Sequence, residues 1–163
     1  MSSRIVNVAL PNLTLIGLSD TFYALGSVKA NGAQVIPGIW EKSMDATDEL
    51  DNFEMGWAVG VMTPVVGPEA EPGKLNYFAG FAVESVPEYL GELSVLKLAA
   101  SDYLVCEHIG DLDELPETTE WFYTEYLPTA GIQEKDAPHL EVYDERFDPE
   151  SEDSVVMICV PKL

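Results

Sequence analysis

Short apolar runs, separated by polar stretches rich in glycine and proline, recur along the chain, a pattern typical of β-strands. In the first half, the runs that predict strands are residues 4–10, 13–18, 56–62 and 75–84. Pro11 and Asn12 interrupt the first two runs, so we expect one bent strand there. Residues 64–73 consist largely of Pro, Gly and Glu, which favour turns. The strands on either side of them are expected to pair antiparallel across a long loop.

Between these strands, apolar residues recur at helical spacing. Ile36, Ile39, Trp40 and Met44 fall on one side of a helix, which predicts a short amphipathic helix over about 35–45. Pro37 is compatible with that helix only in its first turn, because proline has no N–H to donate.

The second half repeats the same order of elements. The runs that predict its strands are residues 93–99, 103–109, 140–145 and 154–160. The helix between them is predicted to begin near Pro116 and to stop at Pro128 and Gly131. Strand, helix, strand, strand thus occurs twice, which predicts an α+β fold of tandem pseudo-symmetric modules with an antiparallel sheet and two main helices. We expect a single domain over 1–163, with module one at about 4–85 and module two at about 92–163.

The length of 163 residues supports one domain with a sizeable core. Eight basic residues stand against 29 acidic ones, so the net charge is −21 and contact with nucleic acid or an anionic membrane surface is not expected. Residues 107–153 alone hold 16 acidic and 2 basic residues. This excess favours a solvated acidic face, and attraction of a cationic ligand is the alternative.

Cys106 and Cys159 lie within apolar runs, so we expect reduced thiols in the core and a cytoplasmic location. No stretch has the pattern of a secretion signal or a membrane span. His108 and His139 lack the neighbours of a metal motif, and the sequence predicts neither a metal nor a cofactor.

The most informative stretch for chemistry is 137–147, which contains His139, Glu141 and Tyr143 on one face of a predicted strand. Leu140 and Val142 share the other face. Either these two aliphatic residues are buried, or a carboxylate flanked by a phenol and an imidazole is half-buried. A carboxylate in a cavity is an unfavourable anion, which a cation or a hydrogen-bond donor stabilises.

Aromatic residues on the predicted elements supply the second part of such a site. Rings around a carboxylate can form a cage for lipophilic or planar cations, although each ring alone is also explained by core packing. These residues are Trp40, Trp57, Tyr77, Phe81, Trp121 and Tyr126.

Seven segments in order resemble the GyrI-like small-molecule-binding domain, which has the fold of the effector-binding domain of AraC-type and multidrug-responsive transcription regulators. The segments are 36–41 (IPGIWE), 57–62 (WAVGVM), 77–83 (YFAGFAV), 103–110 (YLVCEHIG), 122–131 (FYTEYLPTAG), 137–147 (APHLEVYDERF) and 156–161 (VMICVP). The resemblance implies two modules that face each other across a ligand-binding cleft. It places the acidic pocket residue at Glu141 and the pocket aromatics at Trp40 and Tyr126, where tyrosine replaces the common tryptophan.

The resemblance therefore implies binding of a lipophilic, cationic or planar small molecule in that cleft, for sensing or sequestration, as in multidrug recognition. No helix-turn-helix segment precedes the first predicted strand, so we expect a stand-alone member without direct DNA binding. The expected ligand-binding residues are Glu141, Trp40, Tyr126, Tyr77, Trp57, Phe81, Trp121 and Tyr143.

Two other functions stay open. The resemblance includes members that hydrolyse cyclopropane-containing alkylators, which would make Glu141 the general base and Tyr126 the hydrogen-bond donor. Alternatively, the acidic residues of 107–153 mimic nucleic acid toward a basic protein partner such as gyrase.

Overall fold

The structure, a computed structural model, describes residues 2–24, 26–50, 54 and 56–163. Within them the strands are β1 (Ser2–Leu10), β2 (Leu13–Tyr23), β3 (Ala58–Pro64), β4 (Lys74–Ala82), β5 (Ser94–Leu98), β6 (Ser101–Ile109), β7 (His139–Tyr143) and β8 (Val155–Pro161). The first helix is α1 (Gly32–Asp48). The second helical region joins a 3-10 turn (Leu112–Glu114), α2 (Leu115–Trp121), a π-helical turn (Phe122–Tyr126) and α3 (Leu127–Ala130).

The chain divides into two compact units, which we name by their position in the sequence. The central unit is Asn12–Ala99, and the terminal unit combines the segment up to Pro11 with Ala100–Leu163. Each unit carries strand, helix, strand, strand in that order, and its four strands pair in the order β3-β4-β2-β5 or β7-β8-β6-β1. The pairings within each unit are antiparallel. The predicted α+β class and the duplicated order of elements are confirmed.

The two repeats exchange their edge strands. β1 precedes the first repeat along the chain but pairs with β6 of the second, whereas β5 precedes the second repeat but pairs with β2 of the first. The predicted module bounds, 4–85 and 92–163, therefore assign β1 and β5 differently from the two units.

The exchange also replaces the single bent strand predicted over the first 18 residues. Leu10 pairs with Ser101, while Leu13 pairs with Leu98, so at Pro11 the chain passes from the strands of the terminal unit to those of the central unit. Proline suits this break because it has no N–H for a strand ladder.

Helix α1 is longer than predicted and begins at Gly32, so Pro37 lies in its second turn. The prediction that Pro37 occupies the first turn is wrong. Pro37 leaves the Ala33 carbonyl without its helical donor, but Ala33 is exposed and water can take the place of that donor.

The buried face of α1 also differs from the prediction. Ile39, Ser43 and Thr47 are buried at intervals of four residues, and this line leaves Met44 to one side with 50% exposure. The Ser43 hydroxyl donates to the Ala79 carbonyl at 2.7 Å, and the Thr47 hydroxyl donates to the Met44 carbonyl at 2.8 Å. These bonds allow two polar side chains to be buried where sequence reasoning placed only apolar ones.

The second helical region begins as predicted, with Pro116 in the first turn of α2. Of the two predicted stops, Gly131 follows the last turn in a left-handed conformation (φ 67°), whereas Pro128 lies inside α3 and does not end the helix. In the π-helical turn just before it, the Leu127 N–H donates to the Phe122 carbonyl, five residues back. This wider turn shifts the hydrogen-bond ladder, and the helix continues past a residue that cannot donate.

Each unit has its own helix-to-sheet core. In the central unit, Ile39 of α1 packs with Phe22, Tyr77 and Ala79 of the strands. In the terminal unit, Leu115 and Phe122 of the second helical region pack with residues of β6 and β8, which are Leu104, Cys106, Val156, Ile158 and Val160. Cys106 and Cys159 are both fully buried free thiols, which confirms their predicted place in the core.

Candidate functional site

Glu141 lies on the face of β7 that the second helical region covers. Its cross-strand partner in β8 is Ile158, which belongs to the cluster around Phe122, and neighbouring strands present paired residues on the same face. Leu140 and Val142, on the opposite face of β7, are 1% and 0% exposed. Glu141 itself is half-buried. The sequence left two alternatives, burial of Leu140 and Val142 or half-burial of the Glu141 face, and both are found in the structure.

The charge of Glu141 acts on two tyrosines of this face. Burial raises the pKa of Tyr143 well above its ordinary value, and the negative charge of Glu141 raises it further. Burial and then the same charge raise the pKa of Tyr123 on the π-helical turn. Both phenols consequently keep their protons near Glu141 and remain hydrogen-bond donors.

The π-helical turn gathers aromatic rings over the same sheet. The Tyr126 ring stacks on that of Phe122 with centroids 5.9 Å apart, and the Trp121 ring lies 5.6 Å from Tyr126. Tyr143 meets Phe147 edge-to-face at 5.0 Å. Of the predicted site residues, the terminal unit thus carries Glu141, Tyr143, Trp121 and Tyr126, and the three aromatic ones pack against the cluster on the Glu141 face.

The central unit gathers a second set of predicted residues. Nε1 of Trp40 donates a hydrogen bond to the Tyr77 hydroxyl at 2.9 Å, and the Trp40 ring lies 6.2 Å from Tyr77 and 5.7 Å from Phe81. Tyr77 is fully buried and Phe81 is 5% exposed. Trp57 is half-buried just before β3, where its carbonyl accepts a hydrogen bond from the Ala82 N–H.

Gly60 makes room for the Tyr77 hydroxyl. A Cβ atom added at Gly60 would lie 2.0 Å from the Tyr77 hydroxyl oxygen, far inside van der Waals contact. The glycine in the β3 segment Ala58–Pro64 therefore sets the position of one predicted binding residue.

Tyr123 and Glu134, which both contact His139, were missing from the predicted site. Nδ1 of His139 lies 2.9 Å from the Tyr123 hydroxyl, and Nε2 of the same ring lies 2.5 Å from a Glu134 carboxylate oxygen. Tyr123 lies three residues before Tyr126, and this helical spacing was the available signal for it. The sequence did not predict the contact of Glu134, because Glu134 lies in a loop that has neither helical nor strand periodicity.

A separate surface depression of about 610 Å³ lies beside the loop between β2 and α1. Its polar lining includes Tyr23, Lys29 and Glu71, with the Tyr23 hydroxyl donating to Glu71 at 2.7 Å and Lys29 Nζ 3.1 Å from the same carboxylate. None of the predicted site residues lines it.

No group of three His, Cys, Asp or Glu side chains placed to hold a metal ion occurs among the residues that the structure describes. Over that same part of the chain, each helix is too short or too polar to cross a membrane.

Comparison with known proteins identifies the family. The family model of the GyrI-like small molecule binding domain matches residues 8–162. The transcriptional regulator BrlR of Pseudomonas aeruginosa is 32% identical over 162 residues, which cover 93% of this chain and 53% of BrlR. The chain therefore spans about half the length of that relative.

Two solved structures share the fold. SAV2435 bound to tetraphenylphosphonium has a TM-score of 0.69 at 22% identity, covering 100% of this chain and 94% of SAV2435. The integron cassette protein VCH_CASS2 from the mobile metagenome of Vibrio cholerae has a TM-score of 0.67 at 14% identity, covering 98% and 95% of the two chains. Because the family model matches nearly the whole of a chain built from two strand-helix-strand-strand repeats, this protein belongs to the GyrI-like small-molecule-binding domain family.

Proposed function

We propose that the protein is a cytoplasmic binding protein for a lipophilic, cationic or planar small molecule, and that Glu141 is the counter-ion of the ligand. Binding serves either sensing or sequestration. The location of the ligand in a cleft between the modules stays a prediction of the family resemblance.

The observation that carries this proposal is the half-buried position of Glu141 on the helix-covered face of β7. A carboxylate that has lost part of its water attracts a cation more strongly than one in bulk solvent. A lipophilic cation satisfies that charge and at the same time buries apolar surface, so it suits this position better than a small hydrated ion does.

The aromatic residues support the same ligand class. Trp121 and Tyr126 in the terminal unit, and Trp40, Tyr77 and Phe81 in the central unit, form ring clusters whose faces favour cations. The ligand bound to SAV2435, tetraphenylphosphonium, is a lipophilic cation. We propose the same class of ligand for this chain, with Trp57 and Tyr143 as further contacts.

The experiment compares Glu141→Gln with the unmodified protein by calorimetric titration of tetraphenylphosphonium and of neutral triphenylphosphine oxide. The substitution keeps the shape of the side chain and removes its charge, so we expect a loss of about 1–3 kcal/mol for the cation alone. Glu117→Gln on the exposed side of α2 makes the same charge change away from β7 and serves as the control. Equal affinity for the cation in all three proteins would refute Glu141 as the counter-ion.

A hydrolase of reactive cyclopropane-type alkylators is the second candidate. One observation favours it, namely that the Tyr126 side chain packs against the cluster on the sheet face that carries Glu141. A carboxylate that activates water and a phenol that donates to the leaving group are the parts this reaction needs. A single-turnover assay decides between the candidates, because an enzyme opens the three-membered ring and a binding protein protects it. Contact of the acidic segment with a basic protein stays a prediction.

A further inference from the structure

Strand β1 forms an edge of the terminal unit. It pairs antiparallel with β6 along its whole length, from Ser2 opposite Ile109 to Leu10 opposite Ser101. Among the residues that the structure describes, no other strand pairs with β1, and its main chain hydrogen-bonds to no segment besides β6. In an antiparallel ladder, alternate residues direct both main-chain groups away from the neighbouring strand. The outer side of β1 therefore presents a row of donors and acceptors to which a further strand can pair.

This edge lacks the features by which edge strands avoid other chains, such as lysine, proline or a β-bulge. β1 contains neither lysine nor proline, and its register with β6 has no bulge. Its one charged residue is Arg4, and Nε of Arg4 donates to the carboxylate of the buried Glu107 on β6 at 2.8 Å. The charge of Arg4 is thus matched by an opposite charge within the same unit and does not guard the edge.

The equivalent edge of the central unit is built differently. The strand orders β3-β4-β2-β5 and β7-β8-β6-β1 give β5 the place in its unit that β1 has in the other. β5 is five residues long, whereas β1 is nine. It also carries an exposed Lys97, the residue type that most often guards an edge. The contrast between the two repeats indicates that β1 is covered by a partner strand, while β5 is not.

Charge decides which partner strand fits. Residues 1–19 contain a single charged residue, Arg4, in a chain whose net charge is −21. A basic strand would find no carboxylate on β1 to pair with, and an acidic one would approach a strongly negative molecule. An uncharged strand with β-branched residues fits this edge. β1 is itself such a strand, since it carries Ile5, Val6 and Val8.

We propose that two copies of this chain associate by antiparallel pairing of their β1 strands about a two-fold axis at Val6. With full overlap, Val6 faces Val6 of the second copy, and Arg4 of each copy faces Val8 of the other. Like charges therefore never stand opposite each other, and the same surface serves both partners. Four strands, β6-β1-β1-β6, then form a continuous ladder. No ligand takes part, so this inference is independent of the proposed function.

The net charge makes this association depend on salt. Both copies carry −21, so their repulsion opposes the dimer at low ionic strength. Salt screens the repulsion but has little effect on strand pairing. In sedimentation equilibrium, we expect the dissociation constant of the dimer to be at least about 10-fold lower in about 0.5 M NaCl than in about 0.02 M NaCl. A protein that is still monomeric at millimolar concentration in the higher salt would overturn the inference.

Opposite charges introduced at Val6 test the proposed axis. Val6→Lys and Val6→Glu each bring two like charges face to face, so either variant alone should be monomeric. When the two are mixed, the introduced charges attract each other and a heterodimer should form, which also shows that both variants fold. Val95→Glu, on the exposed edge strand β5, is the matched control and should dimerise like the unmodified protein. If Val6→Glu alone dimerised as tightly as the unmodified protein, pairing at β1 would be excluded.

A distance measurement tests the register without a change at Val6. Ala9 is exposed, whereas Cys106 and Cys159 are fully buried, so Ala9→Cys can be labelled selectively with a nitroxide. In the proposed register Ala9 faces Ser3 of the second copy, which separates the two labelled positions by about 20 Å along the ladder. Double electron–electron resonance should therefore give a distance of about 15–30 Å, and a longer one would place the contact elsewhere and overturn the inference.

Discussion

Nε1 of Trp40 on α1 donates a hydrogen bond to the hydroxyl of Tyr77 on β4 at 2.9 Å, which joins a half-buried tryptophan to a fully buried tyrosine in the central unit. This bond ties the helix to the sheet by polar contact as well as by the edge-to-face ring pair at 6.2 Å. Trp40→Phe keeps most of the packing and removes the donor. We expect it to lower the free energy of unfolding by about 1–2 kcal/mol in urea titrations, and a coupling energy near zero between Trp40→Phe and Tyr77→Phe would contradict this.

Gly60→Ala should destabilise the protein by at least about 2 kcal/mol, because the new methyl group would overlap the Tyr77 hydroxyl. Adding Tyr77→Phe, which removes that oxygen, should recover part of the loss. Gly38→Ala is the matched control, since a Cβ at this α1 position meets nothing within 4 Å and alanine favours helix. Thermal and urea unfolding measure the stability of each variant. If the Gly60→Ala protein proved as stable as the Gly38→Ala protein, the clash with Tyr77 would be excluded.

The ionisation of Glu107 makes the free energy of unfolding depend on pH. Burial alone would raise the pKa of Glu107, but hydrogen bonds from Arg146 and Arg4 to its carboxylate bring the pKa below its usual range. The folded state therefore binds this proton less readily than the unfolded chain does. The resulting stabilisation is present above the ordinary carboxyl pKa of about 4.3 and is lost as pH falls through the lower folded value.

Glu107→Gln should accordingly cost about 1–3 kcal/mol at pH 7, and the difference from the unmodified protein should shrink as the pH is lowered below 4. Comparing the two proteins at each pH cancels the effect of the other acidic groups. Glu117→Gln, exposed on α2, should show no such trend. A difference that stays constant from pH 7 to pH 3 would exclude the ion pair as its source.

The two thiols should be inert in the folded protein. Burial raises the pKa of Cys106 to about 11 and that of Cys159 further still, so neither forms the reactive thiolate at pH 8. An Ellman reaction is expected to detect no thiol in native protein and both thiols in guanidinium chloride. Rapid labelling of one cysteine without denaturant would show that the core opens around it.

Local patterns in the sequence predicted most of the secondary structure, because alternation and helical spacing depend on near neighbours. The start of α1 was misplaced because nothing local shows that water can replace the donor missing at Pro37. The buried Ser43 was missed for a related reason, since its partner, the Ala79 carbonyl, is 36 residues away. The exchange of β1 and β5 depends on long-range pairing, which a single sequence does not reveal.

The candidate site divides in the same way. The period of β7 placed His139, Glu141 and Tyr143 together, and the structure shows that this face is the one under the helix. The contact of Glu134 with His139 comes from a loop without regular spacing and could not be predicted. Whether each predicted side chain touches a ligand stays a prediction, and the titration of Glu141→Gln addresses it for Glu141.

Leu10 and Ser101 stand opposite each other in one ladder, and Leu13 and Leu98 do so in another. The chain thus leaves the terminal unit after Leu10 and returns to it at Ser101, two residues that are paired, so the central unit is an insertion in the terminal one. A two-residue Asn-Gly hairpin in place of residues 11–100 would join Leu10 to Ser101, because its geometry connects directly opposed antiparallel positions. The central segment can therefore be removed without breaking the strand pairs of the terminal unit. Dividing the chain between the two repeats, by contrast, would separate β2 from β5 and β6 from β1.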